Sequence, residues 1–158
     1  MDSYYEGGCF CGAVRYQAQD EPLRTLACHC RSCQRFTGSA LNIELIFPKR
    51  SVTFTQGEPR TFSRRSEGSG KLVYHYFCGE CGTTVSLTFE RFPDVRAIMR
   101  GTLDNPNRVR INAHIFTAEA QAGTVLPGNT DCFEAHRITL EGSPRIPQKY
   151  ARPREIGA

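Results

Sequence analysis

Short segments rich in β-branched and aromatic residues recur along the chain: AVRYQA (13–18), ALNIELIF (40–47), SVTFTQ (51–56), LVYHYF (72–77), TTVSLTF (83–89), VRAIMR (95–100) and RVRINAHIF (108–116). Several alternate apolar and polar positions, the period-2 pattern of a strand with one buried face. Turn-forming QGEP, EGSG and LDNPN separate them, which favours antiparallel strands joined by short loops over βαβ units. The helical signal is confined to RSCQRFTG (31–38) and AEAQAG (118–123), the second ending in a candidate glycine cap. The pattern predicts a mainly β protein, built of small antiparallel sheets with short helical turns.

The 158 residues are 39% hydrophobic and 23% charged, ordinary values for a folded chain long enough to bury a core. We read residues 1–140 as one domain and 141–158 as a tail. Pro144, Pro147 and Pro153 in SPRIPQKYARPREIGA give that tail the character of an extended strap or a frayed end. No apolar run approaches the roughly 20 residues that span a bilayer, and MDSYYEGG has neither a basic nor an apolar leader region. The expectation is a cytoplasmic protein without a membrane partner. The net charge of +4 is dispersed, with no block of like charges, so nucleic acid is a disfavoured partner and a groove for small anions fits the charge equally well.

Eight cysteines change the picture more than charge does. Cytosolic thiols stay reduced, and thiolates at close fixed spacing are what zinc prefers. In GGCFCGAVRY, Cys9 and Cys11 are two apart and offer two sulfurs on one side of an extended chain, with Gly7, Gly8 and Gly12 easing the turn. In FCGECGT, Cys78 and Cys81 bracket a glycine turn, a frequent structural zinc knuckle. The two pairs add up to a closed four-thiolate site.

CHCRSC supplies Cys28, Cys30 and Cys33, one ligand short of zinc's usual four. Three protein ligands with an open position are the catalytic arrangement. If a helix starts over Cys30 to Cys33, its exposed amides also favour thiolate over thiol. Two other groupings remain open at this point: all seven sulfurs in one multi-metal cluster, or Cys132 completing the triplet. Cys132 otherwise reads as a buried apolar residue. His29, flanked by Cys28 and Cys30, should face away from them and pack or orient rather than ligate. His75 and His114 lie in strand patterns, where a hydrogen-bonded histidine is the ordinary expectation.

Together GGCFCGAVRY, CHCRSCQRFTGSA, FCGECGT, RGTLD and HIF, in this order over residues 5–116, resemble the family of glutathione-dependent formaldehyde-activating enzymes, whose domain is shared with centromere protein V. The resemblance implies a mostly β fold with two zinc ions: a structural ion on Cys9, Cys11, Cys78 and Cys81, and a catalytic ion on Cys28, Cys30 and Cys33. It implies a carbon–sulfur lyase activity that joins formaldehyde and glutathione as S-(hydroxymethyl)glutathione. Through HIF it also favours His114 over His75 as a substrate-site residue. An aromatic residue is expected some positions after HIF, and TAEAQAGTVLPG contains none.

Arg31, Arg35 and Arg100 are the candidates to grip substrate carboxylates, because a guanidinium binds them bidentately. The expected partner is a small thiol, glutathione first. The rival is a non-catalytic zinc module binding a protein or nucleic acid, which would call for a clustered basic face.

Overall fold

The computed structural model describes residues 4–157. In chain order its elements are β1 (Tyr4–Gly8), β2 (Arg15–Gln19), β3 (Arg24–Cys28), α1 (Arg31–Thr37), β4 (Asn42–Pro48), β5 (Val52–Gln56), β6 (Arg60–Arg65), β7 (Leu72–Phe77), β8 (Thr84–Phe89), β9 (Phe92–Met99), β10 (Ala113–Ile115), β11 (Val125–Leu126), β12 (Asp131–Cys132) and β13 (Arg154–Glu155), with single 3-10 turns between some of them. The protein is mainly β, in several small sheets, with one short α-helix. The chain falls into two compact units that interleave in sequence: residues through Arg24 with Glu44–Arg110, and Thr25–Ile43 with the residues from Ile111 onward.

In the first unit β2 lies between β1 and β5, antiparallel to both. The run β4, β9, β8, β7, β6 is also antiparallel throughout. Tyr5 of β1, Tyr16 of β2, Leu45 and Phe47 of β4, Val85 of β8 and Ile98 of β9 pack in one cluster with Leu103 and Val109 from the connections. Burying large side chains of this kind contributes about 1.5–3 kcal/mol each. Cys9 and Cys78 belong to the same cluster, so the core itself presents two sulfurs from segments far apart in sequence.

In the second unit β10 lies between β3 and β12 and runs parallel to both, pairing His114 with Ala27 and with Cys132. These parallel pairs depart from the antiparallel expectation. RVRINAHIF is strand only at Ala113–Ile115, because Pro106 opens a 3-10 turn over Pro106–Arg108. AEAQAG does not form a helix: Phe116 takes a left-handed conformation (φ 57°, ψ 39°) and starts one 3-10 turn, Thr117–Glu119. Helix α1 matches its pattern, with Cys30 as N-cap and Gly38 (φ 64°) as left-handed C-cap. Residues beyond Glu141 return to this unit: Gln148 and Cys132 exchange two backbone hydrogen bonds, and β13 pairs with β11.

Candidate functional site

Each unit gathers one group of cysteines. In the first, β1 delivers Cys9 into a tight turn in which the Cys9 amide donates to Val14 O (2.9 Å) and the Gly12 amide to Cys9 O (3.1 Å). After β7, Cys78 opens a matching turn, with its amide on Thr83 O and the Gly82 amide on Cys78 O, both at 2.9 Å. Gly12 and Gly82 sit at φ 80° and 74°, a conformation that a side chain would resist. Gly7 and Gly8 are part of β1 rather than of the turn. The Phe10 amide donates to Thr83 Oγ1 (3.2 Å), tying the two turns together.

The sulfurs of Cys9, Cys11, Cys78 and Cys81 all lie within 4.8 Å of one another. Cys9 to Cys11 is 3.6 Å and Cys11 to Cys78 is 3.7 Å. A tetrahedral zinc with bonds of ~2.3 Å sets its sulfurs about 3.8 Å apart, so the quartet fits such an ion. Backbone amides already point at the sulfurs, from Val14 to Cys9 (3.2 Å) and from Glu80 to Cys78 (3.4 Å). The Thr83 hydroxyl and amide pull the Cys81 thiol down to about 5. Although the Ala13 amide works the other way, the neighbouring sulfurs, Cys9 first, push Cys11 up to about 12. Four thiolates this close repel one another unless a cation shares them.

In the second unit Cys28 ends β3, Cys30 caps α1 with its sulfur accepting the Cys33 amide (3.3 Å), and Cys33 lies buried in the first turn of the helix. Their three sulfurs also lie within 4.8 Å of one another, and among the described residues no fourth cysteine, histidine or carboxylate joins this trio. The seven sulfurs therefore stand as four and three rather than as one cluster, and Cys132 belongs to neither. Cys30 and then Cys33 hold the Cys28 thiol well above its ordinary range. Thiolates crowded this closely repel one another, which disfavours the charged form of each.

His29 is fully buried, and its Nε2 is 2.9 Å from Nδ1 of His114 in a stacked ring pair. Burial, and then the neighbouring His114 ring, pulls His29 down to about 4, and burial lowers His114 as well. Both rings are neutral near pH 7, so each carries one N–H and one acceptor nitrogen, and one ring can donate to the other. Arg31 and Arg35 are exposed, one helical turn apart on α1. The Arg31 guanidinium donates to Gln34 Oε1 (2.9 Å). Arg100 belongs to the other unit, where its Nε donates to Pro106 O (2.9 Å).

Sequence reasoning missed Gln34 and Glu119, which bond the backbone of the triplet segment, and Gln121, which bonds Gln34. Gln34 Nε2 donates to His29 O (2.7 Å) and to Glu119 O (2.9 Å), while Glu119 Oε2 accepts the Arg31 amide (2.6 Å). Gln121 Nε2 donates to Gln34 Oε1 (2.9 Å). A polar residue inside a short helix next to the cysteines was the available signal for Gln34. Nothing local marks Glu119, which lies 88 residues from Arg31.

The sequence matches the family model described as glutathione-dependent formaldehyde-activating enzyme over residues 4–119. The chain belongs to this family. Among curated relatives, an uncharacterized lyase of Schizosaccharomyces pombe is 28% identical over 88 residues, covering 54% of this chain. The chain spans 58% of that relative's length. The crystal structure of a Rhodobacter sphaeroides protein shares the fold, with a TM-score of 0.51 at 20% identity over 67% of this chain and 96% of that one. As a member of the formaldehyde-activating family the chain carries both cysteine groups inside the matched region. Among the described residues no helix is long and apolar enough to cross a membrane.

Proposed function

We propose that this protein is a zinc-dependent, lyase-like enzyme of carbon–sulfur chemistry acting on a glutathione adduct or another small thiol. Formation of S-(hydroxymethyl)glutathione from formaldehyde and glutathione is the leading reaction. The observation that carries the reading is the difference between the two groups: the quartet has four sulfurs for one ion, and the triplet has three, with no fourth donor in its group among the described residues. On this reading Cys9, Cys11, Cys78 and Cys81 hold a structural ion, and Cys28, Cys30 and Cys33 hold a catalytic one. A zinc ion on the triplet would supply Lewis acidity and favour thiolate over thiol in a ligand that reaches it.

The chain's own residues have narrower tasks. The net reaction forms one carbon–sulfur bond between the thiol sulfur and the aldehyde carbon and moves the thiol proton to the carbonyl oxygen, so no oxidant or reductant is needed. Arg31 and Arg35, on the helix that carries Cys33, offer guanidinium groups to the glutathione carboxylates. His114 Nε2 is buried without a hydrogen-bond partner among the described residues, and its Nδ1 fixes His29, the residue between two triplet cysteines. We assign the protein to the cytoplasm, where cysteines that hold zinc stay reduced.

Calorimetry of the zinc-replete protein tests the reading. Glutathione should bind, and S-methylglutathione, which keeps the carboxylates but has no ionisable thiol, should bind at least about tenfold weaker, a loss of about 1.4 kcal/mol. Equal affinities would show that the thiol is not what the site recognises, and no binding of either would favour a non-catalytic zinc module.

A further inference from the structure

The carboxamide of Gln34 is 4% exposed, yet it uses every hydrogen bond it can make. Both donor positions are taken, by His29 O at 2.7 Å and Glu119 O at 2.9 Å. Both acceptor positions on Oε1 are taken, by Arg31 Nη1 and Gln121 Nε2, each at 2.9 Å. A neutral amide is the side chain that offers two donors and two acceptors in this geometry. His29 O is the carbonyl between Cys28 and Cys30, so one end of the network grips the backbone of the triplet directly. The other end is the segment 117–121, which the left-handed Phe116 turns so that Glu119 reaches the Arg31 amide.

We propose that Gln34 is the positioning residue of the triplet, holding the Cys28–Cys30 peptide in ligand geometry and coupling metal retention there to the segment 117–121. The inference rests on the proposal that both cysteine groups hold zinc. A buried amide with all its hydrogen bonds satisfied rigidifies what it touches, and outer partners of a metal site typically change affinity by about 10–100-fold when removed. Gln34→Glu keeps the acceptor oxygen for Arg31 and Gln121 but sets the other carboxylate oxygen against the His29 and Glu119 carbonyls. The triplet should lose its ion faster while the quartet, in the other unit, is untouched.

The experiment follows zinc transfer from the full-length, zinc-replete protein to excess chromogenic chelator. Wild type should release two ions in two phases, and the phase absent in Cys30→Ser is the triplet's. In Gln34→Glu that phase should accelerate about 10–100-fold with the quartet phase unchanged. Unchanged triplet release, or equal acceleration of both phases, overturns the inference. Should Gln34→Glu fail to fold, the exposed Gln121→Ala decides: it removes one partner of Gln34 Oε1, and triplet release must rise severalfold or the inference fails. A single phase in the wild type would instead overturn the two-ion reading, and this inference with it.

Discussion

His75 illustrates how much one buried side chain can set. It is 4% exposed in β7, and its Nε2 accepts the Arg64 Nε–H at 3.1 Å, which requires that nitrogen to be unprotonated. Burial first, and then the Arg64 charge, pulls its pKa down to about 4. The unfolded chain, with an ordinary value of about 6.5, binds this proton first. Stability from this group is therefore complete above about pH 6.5 and falls as pH drops toward 4, by up to about 3 kcal/mol in total. His75→Gln keeps an acceptor for Arg64 but cannot titrate, so its urea stability should decline less than wild type between pH 6.5 and 4. Parallel pH curves for the two proteins would refute this role for His75. At this scale the sulfurs were legible because spacings of two and three residues are local geometry. Gln34 and Glu119 were not, because their roles come from partners 85 to 88 residues away.

Among the elements, those with strong alternation or clear caps were readable: β2, β4, β5, β7, β8, β9 and α1 all fall close to their predicted stretches. The missed ones have physical reasons. β1 contains Gly7 and Gly8, β6 (RTFSRR) is mostly polar and exposed, and β3 gains its strand form from β10 and from Asn112, whose side chain accepts the Thr25 amide (2.7 Å). The two cysteine groups also differ as elements. The quartet joins turns 67 residues apart, from Cys11 to Cys78, whereas the triplet spans only Cys28 to Cys33. Closing the longer loop removes more freedom from the unfolded chain, and a structural zinc can contribute on the order of 10 kcal/mol to folding. Cys78→Ser should therefore unfold or aggregate, while Cys30→Ser should melt cooperatively near the wild-type temperature but bind no glutathione. Equal losses of thermal stability in the two variants would contradict the division between a structural and a catalytic group.

For the molecule as a whole, the sequence supports a mainly β chain with dispersed charge but does not show the interleaving of its two units, because pairing between distant segments leaves no local pattern. The parallel strand β10 is the clearest case: three residues drawn from a long alternating stretch join neighbours from both sides of the chain's middle. Among the described residues each unit ends up with one cysteine group, four sulfurs in the first and three in the second. That asymmetry is the central claim, and a cobalt-substituted protein tests it most directly, since thiolate bound to cobalt absorbs strongly and distinctively. Adding glutathione should raise the thiolate-to-metal absorption by the contribution of one more sulfur, adding S-methylglutathione should not, and Cys30→Ser should abolish the response. A spectrum that stays unchanged while calorimetry shows glutathione bound would mean that no sulfur enters the triplet site, and would contradict a catalytic ion with an open fourth position there.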